Sequence, residues 1–243
     1  MNLSVVLLSQ CLPLFAQLKT KQVTNYSQSW VGINSTIRLN NHWGIAADAS
    51  YRSNSFFASE FYTITRLGIN YWVNDNLSFT AGYGHQWNAP TAKGWHTIAN
   101  ENRLYQQVIL TTKMSNVTFT NRLRNEERWQ EKIVGDTDTH TTIFTNRVRY
   151  MLAIEIPLSS KSYLPSLLIS DELCVQMGKT IVFNTFDQNR AFIGLREYFT
   201  KHLYCDLGYS LIDQEKSSGY QYDRDHLFRL FLFYNPDLRK NRH

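Results

Sequence analysis

The sequence contains no long hydrophobic segment. No run reaches the roughly 18 apolar residues that a membrane-spanning helix needs, and the mean hydropathy is -0.37. The formal net charge of +5 is spread along the chain without a basic cluster, so the electrostatic footprint of a nucleic-acid-binding protein is missing. The sequence therefore predicts neither a helical membrane anchor nor a nucleic-acid partner.

Cysteine is also scarce, and its three positions do not have the spacing of a zinc site. Cys174 and Cys205 fall in separate predicted strands with opposite facing, which favours two free thiols over a disulfide. The seven histidines show no metal-ligand spacing, and the sequence has no Gly-rich phosphate loop. We therefore predict no metal and no cofactor.

The N-terminal segment is typical of a signal peptide. The stretch LSVVLLSQCLPLFAQ is apolar, has the length of such a peptide and ends in Leu-Phe-Ala before Gln17. We predict a signal peptide over residues 1–16 and one domain over 17–243, with a short polar tail at 235–243.

The rest of the chain shows regular alternation of apolar and polar side chains, in segments of about ten residues or more. Soluble strands average only about five or six residues, whereas a tilted strand that crosses a bilayer needs about 9–11. Eleven strands are predicted, near 27–39, 43–52, 61–73, 77–87, 101–112, 116–130, 141–157, 166–177, 187–199, 203–212 and 223–234.

The predicted connections alternate in length, as in outer-membrane barrels with short periplasmic turns and longer extracellular loops. The short ones are 40–42, 74–76, 113–115 and 200–202; the long ones are 53–60, 88–100, 131–140, 178–186 and 213–222. Single-chain bacterial barrels have even strand numbers. We therefore predict about twelve strands, with a short strand or a lumen-crossing segment in residues 18–26 supplying the missing piece, and ten strands as the alternative.

Glycine positions indicate which face lies inside. Seven glycines fall within predicted strands, all on the polar face: Gly32, Gly44, Gly68, Gly82, Gly84, Gly194 and Gly208. A soluble sandwich or lipocalin-like barrel would turn its apolar face inward, whereas glycine on a polar inner face makes room for large neighbours. The apolar face carries aromatic residues toward the strand ends, as an interfacial girdle does: Trp43, Tyr51, Phe61, Tyr71, Trp87, Trp129, Phe199 and Tyr234.

The predicted architecture is an all-β, antiparallel, transmembrane up-and-down barrel with an Arg/Glu-rich polar lumen, surrounded by bacterial outer-membrane lipid and lipopolysaccharide. The predicted lumen charge network comprises Arg66, Glu101, Arg103, Arg122, Arg124, Glu126, Arg128, Arg147, Arg149, Glu172, Arg190, Arg196 and Asp206. Opposed residues on neighbouring strands come within about 5 Å, and the planar guanidinium of arginine suits bidentate pairing with carboxylates. The network is interpreted either as filling that stiffens a small barrel or as an anion-selective pore or pocket.

Several strand motifs resemble a known family in their order and spacing: NENRLYQQ (100–107), RLRNEERW (122–129), TNRVRYML (145–152), DQNRAFIGLR (187–196), LGYSL (207–211) and HLFRLFLFYN (226–235). They are similar to the outer-membrane β-barrel family known as domain of unknown function 2490, over about Trp30 to Asn235. The resemblance implies a bacterial outer-membrane protein and no established activity.

Three classes of function remain open: a structural or partner-binding barrel, a narrow pore or small-ligand transporter, and a lipid-modifying hydrolase. Hydrolysis would require a serine, a histidine and a carboxylate within hydrogen-bond reach. The candidates near the extracellular rim are His85, His96, Ser53 and Glu60.

A protein partner is a further hypothesis, through loops 88–100 and 178–186. The apolar residues of these loops are Trp95, Ile98, Ile181, Val182 and Phe183. The competing interpretation is that the loops fold over the mouth of the barrel.

Overall fold

The computed structural model describes residues 20–159 and 164–239. All regular structure in these ranges is β: β1 Gln22–Arg38, β2 Trp43–Asn54, β3 Ser59–Trp72, β4 Leu77–Asn88, β5 Ala99–Met114, β6 Val117–Val134, β7 Thr137–Pro157, β8 Ser166–Met177, β9 Phe186–Tyr198, β10 Leu203–Glu215 and β11 Gln221–Tyr234. No helix capable of spanning a bilayer occurs in the two described ranges.

The strands form one closed barrel in which each strand pairs antiparallel with the next, and β1 pairs with β11 to close the sheet. The closing pair is parallel and continuous, from Gln22 opposite Gln221 to Ser35 opposite Tyr234. A purely antiparallel ring requires an even number of strands, so the parallel pair is what allows eleven to close. The predicted all-β barrel with a charged interior is confirmed.

The predicted strand number was wrong for the described residues, where neither twelve nor ten strands form. Residues 22–26 do not make a separate strand but lengthen β1, because they pair with the first residues of β11. Residues 18 and 19 of the proposed extra strand, and the predicted signal peptide, lie outside the described residues.

The barrel has two different ends. The turn end carries the connections 39–42, 73–76, 115–116 and 199–202, together with residues 158–159 and 164–165 between β7 and β8. The loop end carries 55–58, 89–98, 135–136, 178–185 and 216–220. The predicted difference in length is weaker than expected, because β2, β3, β6 and β7 extend into segments predicted as loops.

The largest such difference is residues 131–140, predicted as a long loop. Here β6 and β7 continue as a hairpin to a two-residue turn at Gly135 and Asp136, whose φ angles are 58° and 62°. Positive φ at both positions fits the twist of a tight hairpin. The strand ends beside this turn have little apolar alternation, so the Gly-Asp pair, although a hairpin turn signal in itself, was not recognised in the sequence.

Inside the barrel, strand glycines lie against bulky neighbours, as the pattern predicted. A Cβ added at Gly32 would lie 2.5 Å from the Phe231 ring, and one at Gly82 would lie 2.8 Å from the Tyr105 ring. Gly194 and Gly208 face each other across β9 and β10. These close approaches leave no room for a larger residue at the same positions.

Outside the barrel, the exposed surface is apolar, with aromatic side chains at both ends. Leu67 and Ile69 are 62% and 61% exposed on the middle of β3. Toward the turn end Trp43 packs edge-on against Tyr71, with ring centroids 4.9 Å apart, and toward the loop end a similar contact joins the rings of Trp129 and Phe144 at 5.2 Å.

The first residues of the predicted polar tail are fixed at the turn end. The N–H of Arg38 donates to the carbonyl of Pro236 at 3.0 Å, and the N–H of Leu238 donates to the carbonyl of Arg38 at 2.8 Å. The tail thereby continues past β11 along the end of β1.

Candidate functional site

The centre of the lumen is a single carboxylate surrounded by arginines. Glu126 is fully buried, and its Oε1 lies 2.7 Å from Nη1 of Arg149 on β7. Four more guanidinium groups approach it to between 3.5 and 4.0 Å, those of Arg124, Arg103, Arg66 and Arg147. Because these arginines come from β3, β5, β6 and β7, one carboxylate links four strands.

A second carboxylate extends this cluster. Glu172 on β8 binds Arg122 at 2.6 Å, Arg149 at 2.7 Å and Arg190 at 3.3 Å. Arg149 therefore bridges Glu126 and Glu172, and its guanidinium connects the centre of the lumen to β8 and β9.

The loop side of the network centres on Glu101. Its carboxylate lies 2.7 Å from Nε of Arg103 and 2.6 Å from Nε of Arg128, and Arg147 pairs with Asp187 at 2.8 Å. These groups are almost fully buried, so they fill the loop-side half of the lumen.

The turn side of the network centres on Arg196, which pairs with Asp206 at 2.7 Å and with Glu155 at 2.9 Å. All thirteen residues of the predicted network project inward and take part in ion pairs. Their shared role in function stays a prediction.

Sequence reasoning missed an ion pair near the loop end. Arg52 lies 2.7 Å from Asp225, and its Nε donates to Gln28. The alternation of inward and outward side chains would have placed both Arg52 and Asp225 in the lumen. Arg52, for example, lies on the same face of β2 as Asp48. Asp187 gave no such signal, since it is the second residue of β9 and lies beside a register shift in the β8–β9 pairing.

Cys174 and Cys205, the two cysteines of the described residues, are free, as predicted. Cys174 is fully buried and points into the lumen, while Cys205 is half-buried on the outer face.

The residues considered for hydrolysis do not form a catalytic arrangement. Nδ1 of His85 lies 2.8 Å from Oδ1 of Asn102 and 3.3 Å from the hydroxyl of Tyr83. Ser53 is fully buried at the edge of β2, and Glu60 accepts a hydrogen bond from the hydroxyl of Thr63 at 3.0 Å.

The fourth candidate, His96, lies in the 89–98 loop, which docks on the tip of the β6–β7 hairpin. Its backbone N–H and that of Thr97 donate to one carboxylate oxygen of Asp136, at 2.8 and 2.7 Å. These bonds, led by the one from Thr97, lower the pKa of Asp136 below its usual range. The loop is therefore held to one side of the barrel mouth.

The two loops considered as a partner surface are partly exposed. Val182 and Phe183 are 68% and 69% exposed, and Ile98 is 48% exposed, whereas Trp95 and Ile181 are half-buried. Partner binding through these loops stays a prediction.

The lumen contains two adjoining cavities. The inner one, of about 210 Å³, is lined by eight arginines and only two carboxylates, Glu172 and Asp206. The outer one, of about 680 Å³, reaches Asn76 and Asn116 in the turn-end connections. Both are lined by Arg122, Arg124 and Arg196, so the outer cavity leads from the turn end to the inner one.

Fold and site together define a class of protein: a small closed β-barrel, apolar outside, with a lumen crossed by arginine–carboxylate pairs. The family model of the protein family of unknown function DUF2490 matches residues 27–223. The chain belongs to this family, and the predicted resemblance is confirmed.

Other comparisons add little. No curated protein matches the chain. Among solved structures, the β domain of the Bordetella autotransporter BrkA is similar at 9% identity and a TM-score of 0.39, over 72% of this chain and 77% of that one.

Proposed function

We propose that this protein is an integral β-barrel of the bacterial outer membrane, with a structural role and a lumen closed on its loop side by ion pairs. The observation that carries the proposal is the apolar outer wall. Exposed Leu67, Ile69 and Ile193 lie in a band around the barrel, and exposed apolar surface of this extent marks contact with a membrane or partner. Aromatic contacts at both ends are typical of the two membrane interfaces.

The buried charges support a closed lumen rather than a wide channel. In the loop-side half of the barrel, most strands contribute an almost fully buried polar or charged side chain to the lumen. These side chains are Gln28, Arg52, Gln86, Glu101, Arg147, Gln176, Asp187 and Asp225. An open aqueous channel would leave such groups hydrated. Here they have protein partners instead, as in the pairs Arg52–Asp225 and Arg147–Asp187, and such pairs connect different strands across the lumen.

Cell fractionation and gel migration test the location. The protein should be recovered with the outer membrane, and the unheated sample should migrate as a compact species that heating converts to the mobility of the unfolded chain. Trypsin added to whole cells should cut after Lys93 in the 89–98 loop if the loop end faces outward. Recovery in the soluble fraction would refute the proposal.

A second candidate is a narrow anion-selective pore, which the excess of arginine around the inner cavity favours. Planar-bilayer recording separates the two. If the lumen is closed, the wild type should show negligible conductance. Conductance should then appear only when an ion pair that crosses the lumen is removed, as in Arg52→Ala. Anion-selective steps in the wild type, reduced by Arg124→Ala, would instead establish the pore.

A further inference from the structure

The inner cavity has more hydrogen-bond donors than its own side chains can satisfy. Eight arginines line it, yet three of them, Arg122, Arg149 and Arg190, share the carboxylate of Glu172. Buried cations without a matched anion are costly. The charge of the cavity wall is therefore incomplete within the described chain.

Arg229 shows this most clearly. Its guanidinium carbon lies 4.4 Å from the ring centroid of Phe192 and 4.8 Å from that of Phe231. Across residues 20–159 and 164–239 it makes no ion pair within 4.0 Å, and its buried Nε has no acceptor. Two aromatic rings thus orient a cation toward the cavity without neutralising it.

Two more buried hydrogen-bond donors of the cavity wall have no acceptor in the part of the chain that the structure describes. Trp30, the register partner of Arg229 across the parallel seam, has a buried indole N–H without an acceptor in the described residues. Arg122 directs one nitrogen to Glu172, but its Nε is also buried and unpaired there.

Arg124 adds a fourth donor group at the junction of the two cavities. It donates twice to the side-chain carbonyl of Gln107, at 3.0 and 2.6 Å. Its third nitrogen is 3.5 Å from Glu126, a carboxylate already bound more closely by Arg149. The neutral side-chain amide of Gln107 therefore holds the Arg124 guanidinium in place without neutralising its charge, which is left largely free to pair with an anion.

From these observations we infer that the inner cavity is a binding site for a small oxyanion, of the phosphate or carboxylate class, held by Arg122, Arg124, Arg229 and the indole N–H of Trp30. Arginine binds such anions through paired, charge-assisted hydrogen bonds. A volume of about 210 Å³ is below the roughly 300–1,000 Å³ of pockets for drug-sized ligands, so an ion-sized ligand fits. It would enter from the turn end through the outer cavity.

Thermal unfolding of the full barrel in detergent tests this, with inorganic phosphate as the probe. A ligand that binds only the folded state raises stability as its concentration exceeds Kd. The unfolding temperature should rise with phosphate and saturate, at constant ionic strength, and chloride should give a smaller rise. Equal responses to phosphate and chloride would overturn the inference. The assay does not depend on the membrane in which the barrel resides, so its failure is distinct from failure of the proposed location.

Variants locate the site. Arg229→Gln should weaken phosphate binding about tenfold or more, because it removes a charge-assisted donor, whereas Arg239→Gln, an exposed change at the turn end, should not alter it. Trp30→Phe keeps an aromatic side chain but removes one neutral hydrogen-bond donor, so it should weaken phosphate binding by about three- to tenfold. This variant tests the site if Arg229→Gln does not fold. Superimposable phosphate curves for the wild type and for the folded cavity variants would refute the assignment.

Discussion

Replacing Glu126 with glutamine tests the central ion-pair cluster directly. The change preserves size and leaves an amide oxygen that can accept from Arg149, but it removes the negative charge that five guanidinium groups share. Breaking a buried ion pair by neutralising one partner costs about 3–5 kcal/mol. With a urea slope of about 1–3 kcal/mol per M, the unfolding midpoint should fall by at least about 1 M.

The neighbouring residue supplies a matched control. Glu127 undergoes the same substitution but points outward and forms no ion pair within the described chain. Glu127→Gln should change the free energy of unfolding by less than about 0.5 kcal/mol, as is usual for surface changes, so its midpoint should stay close to that of the wild type. Urea titrations of refolded barrels, followed by tryptophan fluorescence, compare the two. Equal midpoints for both variants would show that the cluster contributes no more than a surface carboxylate.

Two other features give predictions of the same kind. Gly208→Val should prevent formation of the compact, heat-modifiable barrel, because a Cβ there would lie 2.5 Å from the backbone of the opposing glycine on β9. Ala191→Val, an outward change on β9, should fold normally, and a folded Gly208→Val barrel would contradict the steric argument. Asp136→Ala should speed tryptic cleavage at Lys93 by freeing the 89–98 loop, with Asp138→Ala as the control. Since the pKa of Asp136 is lowered, its carboxylate is ionised and the loop is docked at the slightly alkaline pH of tryptic digestion, and docking is lost only as the pH falls below the usual aspartate pKa. Equal cleavage rates for the wild type and Asp136→Ala would refute this contact.

Alternation along single strands was enough to predict the faces. Successive residues of a strand point to opposite faces, so Glu126 must point inward and Glu127 outward once one face of β6 is known to be inside. The same rule applies to Arg66, Arg196 and Asp206. A physical constraint lies behind this success, because every strand of a narrow barrel turns one face to the apolar outer surface and the other to the polar lumen.

Pairing and closure could not be predicted in this way. The contact of Glu126 with Arg149 depends on the register between β6 and β7, and its approach to Arg66 depends on the width of the lumen. The parallel seam joins the two ends of the domain, so no local pattern in β1 or β11 indicates it. The β6–β7 hairpin was missed because its tip has little of the apolar alternation that marks the other strands.

The arrangement of charge and glycine also explains how one register is selected. A slip of one residue exchanges the two faces of a strand and is excluded by hydrophobicity alone. A slip of two residues keeps the faces, so apolar alternation cannot exclude it. Between β6 and β7, however, such a slip would separate Glu126 from Arg149. Between β9 and β10 it would place a side chain where Gly208 meets its glycine partner. The lumen network therefore does more than fill space, because its pairs penalise the alternative registers that the outer wall would tolerate.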